Sequence, residues 1–216
     1  MPNQVKIICK SKKGSKDFYR LLSTQKNENN TVLYSFWEKS LNITISNEKW
    51  KQIFRVCFKT IKDNDLIWLQ YRVLYKILGT NELLFKIKRH EDGKCTFCKQ
   101  TAETILHLFV ECERVKHFWC EVKSHMHQIL GLELTFNPST IIFGNLSTDI
   151  NTTLLNTINL SAKSYIFKTS RVNGELNCVA FCKFMKNIYI EQEYVSKLEL
   201  KFDKFTRIWG NFNNIF

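Results

Sequence analysis

Apolar residues recur at helical spacing along most of this chain. Between Ser46 and Ile61, the residues Trp50, Ile53, Phe54, Cys57, Phe58 and Ile61 are separated by 3, 1, 3, 1 and 3 positions, the signature of one buried helical stripe. Lys51, Arg55, Lys59 and Lys62 take the opposite face, Ser46 is the expected N-cap, and Glu48 complements the dipole in the first turn. Asp63-Asn64-Asp65 breaks this helix and caps a second, over Asp65 to Leu78. Its apolar residues (Leu66, Ile67, Trp68, Leu69, Tyr71, Val73, Leu74, Ile77, Leu78) run nearly all the way round, which predicts a central helix with Trp68 and Tyr71 in the core. Gly79 is then the C′ residue, and Thr80 caps a third, short helix that runs to Lys88. A long helix is expected over Glu113 to Leu130, burying Val115, Phe118, Trp119, Val122, Met126, Ile129 and Leu130. Pro138 and Gly144 bracket a loop holding Ile141, Ile142 and Phe143, and a helix from Ile150 to Val172 stops at Asn173-Gly174. Two further helices are predicted, Leu176 to Ile190 and Glu193 to Trp209, the second presenting Leu198, Phe202, Phe205 and Trp209.

Ahead of these lies a basic run (Lys6, Lys10, Lys12, Lys13, Lys16, Arg20) with an apolar patch at Phe18, Tyr19, Leu21 and Leu22, read as one short helix and a loop. Thr31 to Leu41, with Phe36 and Trp37, reads as a small helix or an extended segment. The pattern therefore divides the chain into a basic N-terminal segment with short helices (1–45), a helical region (46–92), a cysteine–histidine knuckle with its following helix (93–130) and a C-terminal helical region (131–216). Only 7 Gly and 2 Pro interrupt 216 residues, as expected for helices joined by short loops.

The knuckle is Cys95-Thr96-Phe97-Cys98 followed by His107 and Cys112. A two-residue gap lets two thiolates reach one ion from a tight turn, and three thiols with an imidazole complete the four N or S ligands of a structural, tetrahedral Zn²⁺. At about 100° per residue, His107 and Cys112 would sit roughly 140° apart on a regular helix, so the helix must bend or stop before Cys112. The fold class is accordingly mainly α, a helical domain with a CCHC zinc knuckle linking two helices. Rivals for the fourth ligand are His117, Cys120, and the pair His125 and His127. Cys178 and Cys182, one helical turn apart, read as an ordinary core-facing pair.

Charge adds a second feature. Residues 1–100 carry 20 Lys/Arg against 9 Asp/Glu, whereas residues 101–216 carry 12 against 11. The excess of cations ends at the knuckle, where Arg72, Lys86, Lys88, Arg89, Lys94 and Lys99 are candidate contacts to a polyanion, most simply nucleic acid. Lys94 and Lys99 also offset the net charge of about −1 that three thiolates and a dication leave. The apolar run Val5 to Cys9 is short and broken by Lys6, so no secretory leader is expected, and 8 Cys without one point to a reducing, intracellular setting, nuclear or cytoplasmic. No apolar run approaches the roughly 20 residues of a membrane span.

At its knuckle the sequence resembles the zinc-binding segment near the C-terminal end of reverse transcriptases from LINE-type (non-long-terminal-repeat) retrotransposons. The matching words are Cys95-x2-Cys98, Glu103-Thr104-Ile105-Leu106-His107-Leu108-Phe109, Cys112 and Phe118-Trp119. Upstream, Trp37-Glu38-Lys39-Ser40-Leu41-Asn42-Ile43, Trp50 and Leu69-Gln70-Tyr71-Arg72 are similar too, and downstream so are Ala162-Lys163, Ile166-Phe167-Lys168 and Phe205 to Trp209, so the resemblance covers about residues 15 to 212. It implies a helical domain that follows the polymerase and helps hold template RNA or target DNA during target-primed reverse transcription, with a polymerase chain as a further partner. The chain contains no Tyr/Phe-x-Asp-Asp word, and its close acidic pairs, Asp63 with Asp65 and Glu91-Asp92, read as a cap and a turn. Two-metal nucleotidyl transfer needs convergent carboxylates, so no enzyme activity is expected of it. The expected function is a non-catalytic, zinc-containing nucleic-acid-binding module. The alternative is a zinc-stapled helical scaffold for protein–protein interaction, which an exposed apolar patch larger than the basic one would favour.

Overall fold

Apolar residues at helical spacing produce helices throughout the computed structural model, which describes residues 31–60, 63–131, 135–147, 150–210 and 212. The basic run from Lys6 to Arg20 and the apolar patch at Phe18, Tyr19, Leu21 and Leu22 lie outside the described residues. The chain divides into two compact units, Met1–Ser46 and Asn47–Phe216. In the first, helix α1 spans 31–41 and ends at Asn42, which takes a left-handed φ of 50°. Glu38 accepts the Ile45 N–H at 2.9 Å, and Trp37, fully buried, meets Phe36 edge-on at 5.3 Å.

The second unit contains α2 (Asn47–Thr60), α3 (Asn64–Leu74), α4 (Asn81–Lys86), a single π turn (His107–Glu111), α5 (Glu113–Leu130), α6 (Pro138–Phe143), α7 (Ile150–Arg171), α8 (Cys178–Leu198) and α9 (Phe202–Trp209). No strand occurs among the described residues, only an isolated antiparallel bridge between Lys94 and Ala102. No described helix is long and apolar enough to cross a membrane.

Two caps form as the sequence predicts. Asp63 Oδ1 accepts the N–H groups of Asp65 and Leu66 at the start of α3, and Thr80 Oγ1 accepts that of Leu83 at the start of α4. Helix α3, however, stops at Leu74 and not at Leu78. Lys76 adopts φ 58°, Ile77 N–H reaches back to Arg72 O at 2.9 Å and Lys76 N–H to Val73 O at 3.1 Å, which is a Schellman ending with lysine in the left-handed position assigned to Gly79. The segment expected as a loop before Gly144 is helix α6, because Asn137 and Thr140 form a reciprocal capping box with Pro138 in the first helical position between them. The break expected near Glu191 is also absent. Glu191-Gln192-Glu193 are good helix formers and Glu193 pairs with Lys197 at 2.8 Å, so α8 runs on to Leu198 and ends where Leu200 turns left-handed at φ 55°.

The central helix is α7, not α3. Helix α7 packs against α2, α3, α8, α9 and the π turn. It escaped the apolar count because much of its buried surface is polar: Thr152, Asn156, Thr157, Asn159, Ser161, Lys163, Ser164, Thr169 and Ser170 are all buried. Many of these groups have found partners. Asn156 binds the Asn145 backbone through both its Oδ1 (2.7 Å) and its Nδ2 (2.9 Å), Asn159 Nδ2 donates to Thr140 O at 2.7 Å, and Lys163 Nζ donates to Gln70 Oε1. Gly144 permits that clasp: at φ 84°, any Cβ there would stand 2.9 Å from Asn156 Oδ1. With α7 as the hub, α3 keeps one face outside, and Trp68 is 55% exposed, its ring stacked on Tyr71 at 5.1 Å and 5°.

Candidate metal centre

The knuckle begins as a tight hairpin. Glu103 N–H donates to Gly93 O (2.7 Å), Cys95 N–H to Thr101 O (2.8 Å) and Lys99 N–H to Cys95 O (2.9 Å), with Lys99 at φ 58° on the turn. Thr104 Oγ1 then accepts the His107 N–H at 2.9 Å, and the backbone enters the π turn. There the Cys112 N–H bonds to His107 O at 2.9 Å, an i to i+5 closure that stacks residue 112 above residue 107 and removes the roughly 140° mismatch of a regular helix. Trp119 Nε1, donating to Phe109 O at 2.9 Å, ties the π turn to α5.

These elements bring the ligand atoms of Cys95, Cys98, His107 and Cys112 within 4.8 Å of one another. Cys95 Sγ lies 3.8 Å from Cys112 Sγ, and Cys98 Sγ lies 3.3 Å from His107 Nε2. Two thiolates about 2.3 Å from a tetrahedral zinc would be separated by about 3.8 Å, and a thiolate and an imidazole nitrogen by about 3.5 Å. The donor set and its spacing therefore fit zinc. Thr101 Oγ1 lies beside the ring edge, 3.1 Å from His107 Nδ1 and 3.2 Å from Nε2.

The thiols are already differentiated. The hydrogen bond from Cys95 draws the Cys112 thiol down to about 5, while the same bond, with burial, pushes Cys95 well up. At Cys98, burial raises the thiol, but hydrogen bonds from the N–H groups of Gln100 and Thr101 and from His107 and Cys95 together outweigh it, leaving a net downward shift. Among the described residues this is the one group of three or more potential ligands brought together. His117 is exposed beside Glu121 at 3.3 Å, and Cys120 and His127 are exposed on α5. Cys178 and Cys182 engage each other, raising the first thiol and lowering the second.

The candidate cations are distributed unevenly. Lys86, Lys88, Arg89, Lys94 and Lys99 are all exposed along 86–99, a stretch folded back on α4 where Gly93 packs against Glu82 and Phe85. Lys86 is paired with Glu82 at 2.6 Å. Arg72 is apart from them, half-buried with its guanidinium 5.8 Å from the Phe167 ring centre. The candidate contacts left out Lys76, an exposed neighbour of Lys86 whose ammonium pKa is lowered first by partial burial and then by that lysine. Acidic pairs serve local structure: Asp63 caps α3, and Asp92 accepts the Lys94 N–H at 3.0 Å.

Fold and site together define a helical domain in which a Cys3His centre joins a hairpin to the helices that follow it. Residues 14–119 match the family model described as zinc-binding in reverse transcriptase. Among curated proteins, none matches the chain.

Proposed function

We propose that the chain is a non-catalytic, zinc-containing nucleic-acid-binding module, resembling the C-terminal part of a LINE-type retrotransposon reverse transcriptase and holding template RNA or target DNA inside the cell. The zinc would be held by Cys95, Cys98, His107 and Cys112, and supplies a cross-link between the hairpin and α5. The observation that carries the reading is the position of Lys88, Arg89, Lys94 and Lys99, exposed and outside the ion pairs among the described residues, on the segment that leads into and around the candidate centre.

Cations that touch phosphate release counterions, so affinity for single strands should fall with salt at a slope of about −0.7 per contact, or about −3 for four contacts. Replacing Lys88, Arg89 and Lys94 by Gln should weaken binding to all sequences alike and flatten the slope. The same change at Lys197, Lys201 and Lys204 should matter less, since Lys197 is paired with Glu193 at 2.8 Å and Lys201 with Glu199 at 3.2 Å. Equal losses from both triple variants, or no salt-dependent binding to RNA or DNA, would refute it. A scaffold that docks protein is the second reading, favoured by Ile190, Tyr194 and Leu198, which lie exposed at four-residue intervals along α8.

A further inference from the structure

One buried carboxylate fastens the knuckle to the helical body. Glu103 has no exposed surface. Its Oε2 accepts the N–H of Thr96, the residue next to Cys95 inside the Cys-x2-Cys turn, at 2.9 Å. Its Oε1 accepts the Asn81 N–H at the start of α4, at 3.0 Å, and a hydrogen bond from Arg171 Nη2. Asn81 Nδ2 closes the network onto the same turn, donating to Lys94 O at 2.8 Å and to Thr96 Oγ1 at 3.0 Å. Arg171 is the last residue of α7. Its Nη1 donates to Gly79 O at 3.2 Å and its guanidinium stands 5.2 Å from the centre of the Phe167 ring. Both carboxylate oxygens are thus engaged, one to the ligand-bearing turn and one to a helix that enters the chain far beyond the knuckle. The Arg171 side chain is 27% exposed and that of Glu103 not at all, so removing the guanidinium leaves a fully buried carboxylate without its cationic partner, and the turn cannot keep its position indifferently to Arg171.

We propose that Arg171, acting through Glu103, is a positioning residue for the metal centre: the last turn of α7 clasps the Cys-x2-Cys turn and couples retention of zinc to the docking of that helix end. The coupling is reciprocal, so zinc should in turn order the end of α7. This inference rests on the zinc reading above, and the two are tested separately by one experiment. The purified full chain is loaded with zinc, and release to a chromogenic chelator is timed for the wild type, Arg171→Met and Arg72→Met. Arg72 also stands over Phe167 but makes no hydrogen bond to the knuckle among the described residues, so its variant reports the cost of losing a guanidinium at that ring alone.

Outer-shell changes commonly weaken metal binding about 10- to 100-fold, so Arg171→Met should release zinc about tenfold faster or more, with Arg72→Met close to wild type and Arg171→Lys in between. Hydrogen exchange on the wild type gives the second readout, independent of whether any variant folds. Chelation should speed exchange at the Thr96 amide and in the last turn of α7, and leave the last turn of α8 unchanged. Equal release from Arg171→Met and Arg72→Met, or an α7 end indifferent to chelation, would overturn the coupling while leaving zinc in place. A wild-type chain that takes up no zinc would overturn the zinc reading itself.

Discussion

Changing Cys98 to Ser, or stripping the metal with a chelator, should melt the knuckle and leave the bundle around α7 standing. Cys98 is the informative ligand to remove, because it is only half-buried, whereas Cys95 and Cys112 have no exposed surface and their loss would add a packing defect to the loss of a ligand. Structural zinc contributes apparent binding free energy of about 10 to 16 kcal/mol near neutral pH, which corresponds to dissociation constants from about 10⁻⁷ to 10⁻¹² M. Competition against chelators of graded affinity should bracket the wild type in that range. A loss of this size equals the whole stability of a typical domain, about 5 to 15 kcal/mol, so a hairpin left with the burial of Ile105, Leu108 and Phe109 and the Glu103 hydrogen bonds should not survive it. The bundle has its own core in Trp50, Leu69, Val73, Ile158, Ile166, Phe181 and Met185. By hydrogen exchange, the amides of Cys95, Lys99 and Cys112, bonded to Thr101 O, Cys95 O and His107 O, should lose protection while those of α7 from Ile158 to Ile166 keep theirs. A Cys178→Ala, Cys182→Ala double variant should still hold one zinc. The reasoning fails if folded wild-type protein contains no zinc, if zinc survives Cys98→Ser combined with His107→Ala, or if the Cys178, Cys182 variant loses its metal.

Two further expectations concern stability, and urea denaturation checks both. Trp50→Ala, at a site 2% exposed and edge-on to Phe143 at 5.5 Å, should cost about 3 to 5 kcal/mol, whereas Trp68→Ala should cost under about 1 kcal/mol; equal costs would return Trp68 to the core. Leu200 is 94% exposed at φ 55°, a conformation that disfavours a Cβ by about 1 to 2 kcal/mol, so Leu200→Gly should stabilise the chain by about 1 kcal/mol; a lower urea midpoint would contradict the strain assigned to that turn.

How far the sequence is legible depends on whether a feature is local. The four metal-facing residues can be picked out because a hairpin and one helical turn bring them together over eighteen positions, and simple geometry already demands that the helix deform before Cys112. The π turn is that deformation. Caps at Asp63 and Thr80 are equally local, and they form. Endings were harder: lysine at 76 and 88 and leucine at 200 occupy left-handed positions where a reader looks for glycine, because the six-residue closure of each ending outweighs the steric cost of a Cβ.

What could not be read was decided by partners far away in the chain. Counting apolar residues ranks α3 above α7, yet much of the buried surface of α7 is polar and is secured by hydrogen bonds from Asn156, Asn159 and Lys163 to groups outside the helix, which no periodicity records. Placing this polar helix in the centre is what leaves Trp68 outside. Glu103 makes the same point at the metal centre. In sequence it opens the word that leads to His107, four positions on, but nothing local says what its carboxylate touches. Its partner Arg171 lies 68 positions away, so the residue that closes over the ligand-bearing turn emerges only once α7 has docked.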